Sequence, residues 1–222
     1  MNRSLALALA ALLAASPAAA QTEPAPIDAT LPNGPEILLA DEAVEGTTVR
    51  RGVSRFTVRA PMSVVAREFT DFGNYTQIIP RVAESRVVRR TRAGTEVYMQ
   101  VRLGQNLGVL WSRLRLSVRR TAAAVEVSGT SIEGNVDRFE LATRIEPMPD
   151  DPERTLITCR MLSVPQLPFP SSVFTRENRA ALSTLANRLR TRVEGATQPP
   201  AQPAQPAQPP VTAAATAAAP SS

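Results

Sequence analysis

Arginines, carboxylates, two tyrosines and a single thiol are the ionisable side chains of this 222-residue chain, which has no histidine and no lysine. Without imidazole there is no Ser-His-Asp triad and no His-ligated metal. Without lysine there is no Schiff-base chemistry. The lone Cys159 can form neither an internal disulfide nor a cysteine cluster. It falls in the apolar run TLITCRML (Thr155 to Leu162), where a free cysteine behaves as a small buried hydrophobe rather than a nucleophile. Neither a cofactor nor a metal is therefore expected. Asn178 is the polar residue that most needs an explanation, because it lies four residues before Leu182 on an apolar helix stripe. A buried amide there must find hydrogen bonds or bear a desolvation cost of about 1–3 kcal/mol. It either bonds to backbone near the helix start or holds the polar head of a ligand.

The elements that would position these residues follow from periodicity. Met62, Val65, Phe69 and Phe72 recur at helical spacing behind Pro61, whose fixed φ suits a first helical turn. Gly73 and Asn74 are the expected helix end, and Tyr75 to Ile79 a second short turn stopped by Pro80. Period-two runs dominate from there: Thr47 to Arg59 before the helices, then Val82 to Arg90 and Thr95 to Leu103 around a turn at Ala93-Gly94. Further strands are expected over Leu110 to Val118, Ala124 to Ser128, Val136 to Glu146 and Arg154 to Ser163. Each has one apolar and one wet face, so the sheet needs a cover. That cover is a final helix after the loop VPQLPFP (Val164 to Pro170), capped by Ser171 and ended by Gly195, with Phe174, Leu182, Leu185, Leu189 and Val193 as its apolar stripe.

Both ends of the chain read differently. Arg3, the apolar run Leu5 to Ala15 and Ala18-Ala19-Ala20 make residues 1–20 a signal peptide cleaved after Ala20, which places the mature protein in the periplasm or outside the cell. Residues 21–45 form an acidic, proline-containing leader, and residues 197–222 a Pro/Ala/Gln-rich tail built on an AQP repeat and expected to be disordered. One domain remains, residues 46–196. From Gly46 onward 24 arginines face 14 acids, a balance near +10. Dispersed arginines of this kind read first as a solvated coat; peripheral contact with an anionic membrane is the functional reading they admit. Nucleic acid is a poor partner behind an export signal.

The order strand, two short helices, six strands and a long C-terminal helix resembles the START-like helix-grip superfamily, also called SRPBCC, in its polyketide cyclase-like and coenzyme Q-binding branch. FTVRAP (Phe56 to Pro61), FTDFGNYTQIIPRVAESRVV (Phe69 to Val88) and the proline-rich loop before the last helix carry the resemblance, which spans Thr47 to Glu194. It implies an α+β fold in which a curved antiparallel sheet of about seven strands wraps around the long helix, with two short helices after the first strand. It further implies a deep apolar pocket between helix and sheet. The matching strand positions are Val97, Met99, Val101, Leu114, Leu116, Phe139, Leu141, Ile157, Cys159 and Met161. Phe174, Asn178, Leu182 and Leu185 would line the pocket from the helix, and Ile78, Ile79 and Phe169 would form its mouth.

Three functions fit such a fold. The first is an exported, non-catalytic carrier or sensor of a lipid-like or aromatic hydrophobic molecule. The second is an aromatase/cyclase-type enzyme using Glu84, Asp137, Glu140 or Arg160 inside the pocket. The third is an envelope interaction module with a collapsed pocket and an active basic surface. The inward strand positions are almost wholly apolar, which favours the carrier.

Overall fold

The computed structural model describes residues 36–79, 81–104 and 108–197, with the side chains of residues 196 and 197 left aside. The signal peptide, residues 21–35 of the leader, Pro80 and the tail from residue 198 lie outside the described residues. Alternation shapes the strands. In β2 (Arg51–Val58), Ser54, Phe56 and Val58 are fully buried on one face beneath a helix. The remaining strands are β1 (Ile37–Glu42), β3 (Val82–Thr91), β4 (Gly94–Arg102), β5 (Val109–Arg120), β6 (Val125–Gly134), β7 (Val136–Met148) and β8 (Asp151–Pro165). They form one eight-stranded sheet in the order β1-β2-β8-β7-β6-β5-β4-β3, with every neighbouring pair antiparallel.

The eighth strand is β1, drawn from the segment that charge alone assigned to the acidic leader. Its apolar half, Ile37 to Ala40, pairs with Phe56 to Val53 of β2, and Asp41 and Glu42 follow at its end. The two short helices consequently come after the second strand. The β3–β4 hairpin turns at Gly94, where φ is +133° and an added Cβ would sit 2.5 Å from the Leu116 carbonyl oxygen, so only glycine fits.

Between β2 and β3 the chain forms α1 (Met62–Thr70), a 3₁₀ turn (Phe72–Asn74) and α2 (Tyr75–Ile78). Helix α1 stops before Gly73 and Asn74, which lie in the 3₁₀ turn rather than at a helix end; the Thr70 hydroxyl turns back onto the Ala66 carbonyl at 2.8 Å. Phe69, Phe72 and Tyr75 then pack edge to face, with ring centroids 6.4 and 5.8 Å from Tyr75. The Tyr75 hydroxyl donates to the Phe69 carbonyl at 2.7 Å, and the Ser85 hydroxyl to that of Phe72 at 2.6 Å, tying this bent cover to β3.

The long helix α3 (Ser171–Thr197) begins at Ser171 itself, with the Val173 N–H bonded to the Pro170 carbonyl, and runs through Gly195 instead of ending there. Its buried stripe is Phe174, Asn178, Leu182, Ala186, Leu189 and Val193, the i, i+4 and i+3 spacing of one helix face. The main core lies between that stripe, the concave face of the sheet and α1–α2, with Phe56, Val65, Val97, Leu116, Ile145, Ile157 and Leu189 at its centre. Gly52 sets how near α3 comes: a Cβ there would lie 3.0 Å from Leu182 Cδ1 and 3.3 Å from the Asn178 carbonyl carbon. Gly52→Val is expected to lower stability by about 1–3 kcal/mol in urea denaturation. Gly73→Ala, where an added Cβ meets nothing within 4 Å, is expected to stay within about 0.5 kcal/mol of the parent; equal midpoints for all three proteins would contradict the close approach.

Candidate functional site

Helix and sheet part toward the N-terminal half of α3. At the C-terminal half, Ala186, Leu189 and Val193 fill the core against the sheet and α1. Toward Phe174 the concave strands present Met99, Val101, Leu114, Leu116, Phe139, Leu141, Cys159 and Met161, while α3 presents Ala181 and Leu185 between its larger side chains. The space left is a cavity of about 170 Å³. An apolar cavity of about 150 Å³ takes a benzene-sized guest, so this one has room for one ring or a short branched chain.

Thirteen of the seventeen residues expected at the site surround this cavity: Ile79, Met99, Val101, Leu114, Leu116, Phe139, Leu141, Cys159, Met161, Phe174, Asn178, Leu182 and Leu185. Four do not. Ile78, Val97 and Ile157 are packed into the solid core, because the sheet closes onto α3 and α1 before their positions are reached. Phe169 lies outside the lining, 37% exposed with its ring 6.3 Å from that of Phe174. Sequence reasoning missed Phe69 and Tyr75, which close one wall from the short helices, and Leu110, Ser112, Val136 and Ser163, which extend the lining along three strands. Continuing the alternation of β5 and β8 by one more pair would have found Ser112 and Ser163. It also missed Ala180, Ala181 and Thr184, small residues flanking the stripe on α3, and Arg81 with Glu177 at the rim.

The electrostatics divide cleanly between the two faces of the sheet. Glu84, Glu140 and Arg160, weighed as pocket acids or bases, alternate with concave residues and point outward. Glu84 pairs with Arg86 at 2.9 Å, Glu140 with Arg51 at 2.5 Å and Arg138 at 2.6 Å, and Arg160 with Glu42 at 3.4 Å. Asp137 is exposed beside the β7 bulge. On the same outer face Glu96 is only 1% exposed, because Arg89 at 2.8 Å, Arg115 at 3.6 Å and Arg113 at 4.0 Å cover it. The hydrogen bond from Arg89 holds its carboxyl below the usual carboxylate range. Such pairing ties many of the arginines into a coat of ion pairs.

Inside, Arg81 and Glu177 form an ion pair at the cavity rim. Burial pushes the Cys159 thiol up to about 11, against an opposing hydrogen bond from Thr143 at 3.1 Å. Burial likewise drives the Tyr75 phenol well up. Both groups stay neutral at physiological pH. Among the described residues no group of three or more His, Cys, Asp or Glu side chains could hold a metal ion, and no helix is long and apolar enough to cross a membrane.

A curved antiparallel sheet gripping one long C-terminal helix over an apolar cavity is the START-like helix-grip fold, and this chain has it. No protein-family model matches the sequence, and no curated protein does. Solved structures match by shape. The STAR-related lipid transfer protein from Xanthomonas axonopodis superposes with a TM-score of 0.62 at 16% identity, covering 71% of this chain and 93% of that one. Human StAR-related lipid transfer protein 5 gives 0.65 at 10% identity, with 74% and 85% covered. A START superfamily protein from Mycobacterium smegmatis gives 0.58 at 19% identity, with 66% and 99% covered. At these identities the likeness is one of fold.

The raised thiol pKa makes a prediction with a defined sign. Folding holds the Cys159 proton more tightly than the ordinary value of 9.0, up to about 11. The stability this group contributes is therefore complete below pH 9 and is lost as pH rises through about 11. Iodoacetamide is expected to label the native protein at least 100-fold more slowly than the urea-unfolded chain; equal rates would show that the thiol is not sealed beneath α3.

Proposed function

We propose that this protein is an exported, non-catalytic binding or carrier protein for a lipid-like or aromatic hydrophobic small molecule, held between α3 and the concave face of the sheet. The observation that carries this reading is the cavity wall. It is built mainly from aliphatic, aromatic and sulfur-containing side chains, Arg81 and Glu177 of its lining are paired with each other, and Glu84 and Glu140, weighed for catalysis, lie on the opposite face. Binding there gains by removing apolar surface from water at about 25 cal/mol per Å², and a well-formed apolar pocket is the default binding site of a fold. Two of the similar structures are named as lipid transfer proteins, which supports the same class of ligand. A pocket-free interaction module is disfavoured by the cavity itself.

Titration with 4-fluorotoluene followed by ¹⁹F NMR tests the cavity. Saturable binding is expected for the parent protein, weakened at least tenfold in Met161→Trp and Leu141→Phe, which fill the space from two different strands. Absence of saturable binding, or unchanged binding in both folded variants, would overturn the carrier reading. Export rests on residues 1–20 and is checked by fractionation and N-terminal sequencing. Mature protein beginning at Gln21 outside the cytoplasm is expected, and full-length protein in the cytoplasm would contradict it.

A further inference from the structure

Asn178 and Ser163 are two of the polar side chains that line the cavity, and their hydrogen-bonding state specifies what a guest must bring. Asn178 is 3% exposed. Its Nδ2 donates to the Arg50 carbonyl at 3.3 Å and the Ser163 carbonyl at 3.4 Å. These two carbonyls settle which end of the amide is which: a half-turn flip would aim Oδ1 at two other acceptors. Oδ1 is therefore the free end, and among the described residues no N–H or O–H donates to it. Beside it on β8, Ser163 shares the concave face with Met161 and Cys159, lines the same cavity, and has no hydrogen-bond partner for its hydroxyl among the described residues. Asn178 Oδ1 accepts only, whereas Ser163 Oγ can accept or donate.

Charge narrows the choice. Glu177 and Arg81 neutralise each other, and Arg102, the remaining charged residue of the lining, is exposed to water. A carboxylate or phosphate would bring more acceptors to Asn178 Oδ1, and an ammonium would lose its hydration to apolar walls. A neutral O–H satisfies the amide oxygen, which a guest without a donor would cover and leave unpaired.

We infer that the cavity selects a neutral, ring-sized apolar molecule carrying one hydroxyl, which donates to Asn178 Oδ1 and accepts from Ser163 Oγ. This rests on the carrier reading and adds to it the polarity and orientation of the guest: hydroxyl toward the start of α3, apolar body toward Leu116 and Leu141.

Displacement of 4-fluorotoluene by toluene, 4-methylphenol and 4-methylanisole tests it, because the phenol and its methyl ether differ in the hydroxyl proton and one methyl group. In the parent protein 4-methylphenol is expected to bind about 3- to 10-fold more tightly than 4-methylanisole, the worth of one hydrogen bond. Asn178→Leu is expected to erase that preference while toluene binds as well or better. Ser163→Ala, which removes no backbone contact, is expected to reduce the preference and serves if the Asn178 variant fails to fold. Toluene binding with the ether equal to the phenol would overturn the hydroxyl inference alone, as would a preference that survives both substitutions. Failure of all three compounds to displace the probe would overturn the carrier reading and this inference together.

Discussion

Where β2 carries Gly52, the backbone of α3 comes within van der Waals reach of the sheet, with a would-be Cβ only 3.3 Å from the Asn178 carbonyl carbon. Everything else about the site depends on that approach. It lets Asn178 Nδ2 reach the Arg50 and Ser163 carbonyls, and so fixes the start of α3 over β2 and β8. Farther along, Arg190 Nη2 donates to the Thr57 carbonyl at 3.1 Å, and Glu194 accepts the Arg59 N–H at 3.0 Å. The helix is pinned at several points to one side of a sheet that curves away from it, and the curvature leaves space over β4, β5, β7 and β8.

The two faces of the sheet solve different problems. The concave face carries aliphatic side chains of moderate size, so it closes into solid core near Ile157 and Val97 and stays open near Met161 and Leu141. The convex face carries the charges. Rows such as Arg89, Glu96 and Arg115 run across three strands in register, and planar guanidiniums lie over carboxylates to the point of burying Glu96. This separation keeps Glu84, Glu140 and Arg160 on the side of the sheet away from the cavity.

Period-two alternation made most of the sheet legible, since inward and outward sets along β4, β5 and β7 follow directly from residue spacing. The i, i+4 stripe did the same for α3. The START-like resemblance supplied the expected lining, and thirteen of its positions surround the cavity. The misses have physical causes. Six-residue β1 is an edge strand, half-buried along its whole length, so it lacks the strong alternation that a strand with one sealed face shows. Ile78, Val97 and Ile157 are chemically indistinguishable from lining residues; only the tertiary distance between α3 and the sheet separates core from cavity. Ala180, Ala181 and Thr184 were invisible because a cavity is lined as much by small residues that leave room as by large ones that touch.

The central claim is that a guest sits beneath the N-terminal half of α3. Methyl NMR of the methionines measures this directly, since Met99 and Met161 line the cavity while Met62 and Met148 do not. On titration with 4-fluorotoluene the Met99 and Met161 methyl resonances should move together along one saturable isotherm, with Met62 and Met148 stationary. Shifts confined to Met62 or Met148, or no shift in any of the four, would contradict a guest in this cavity.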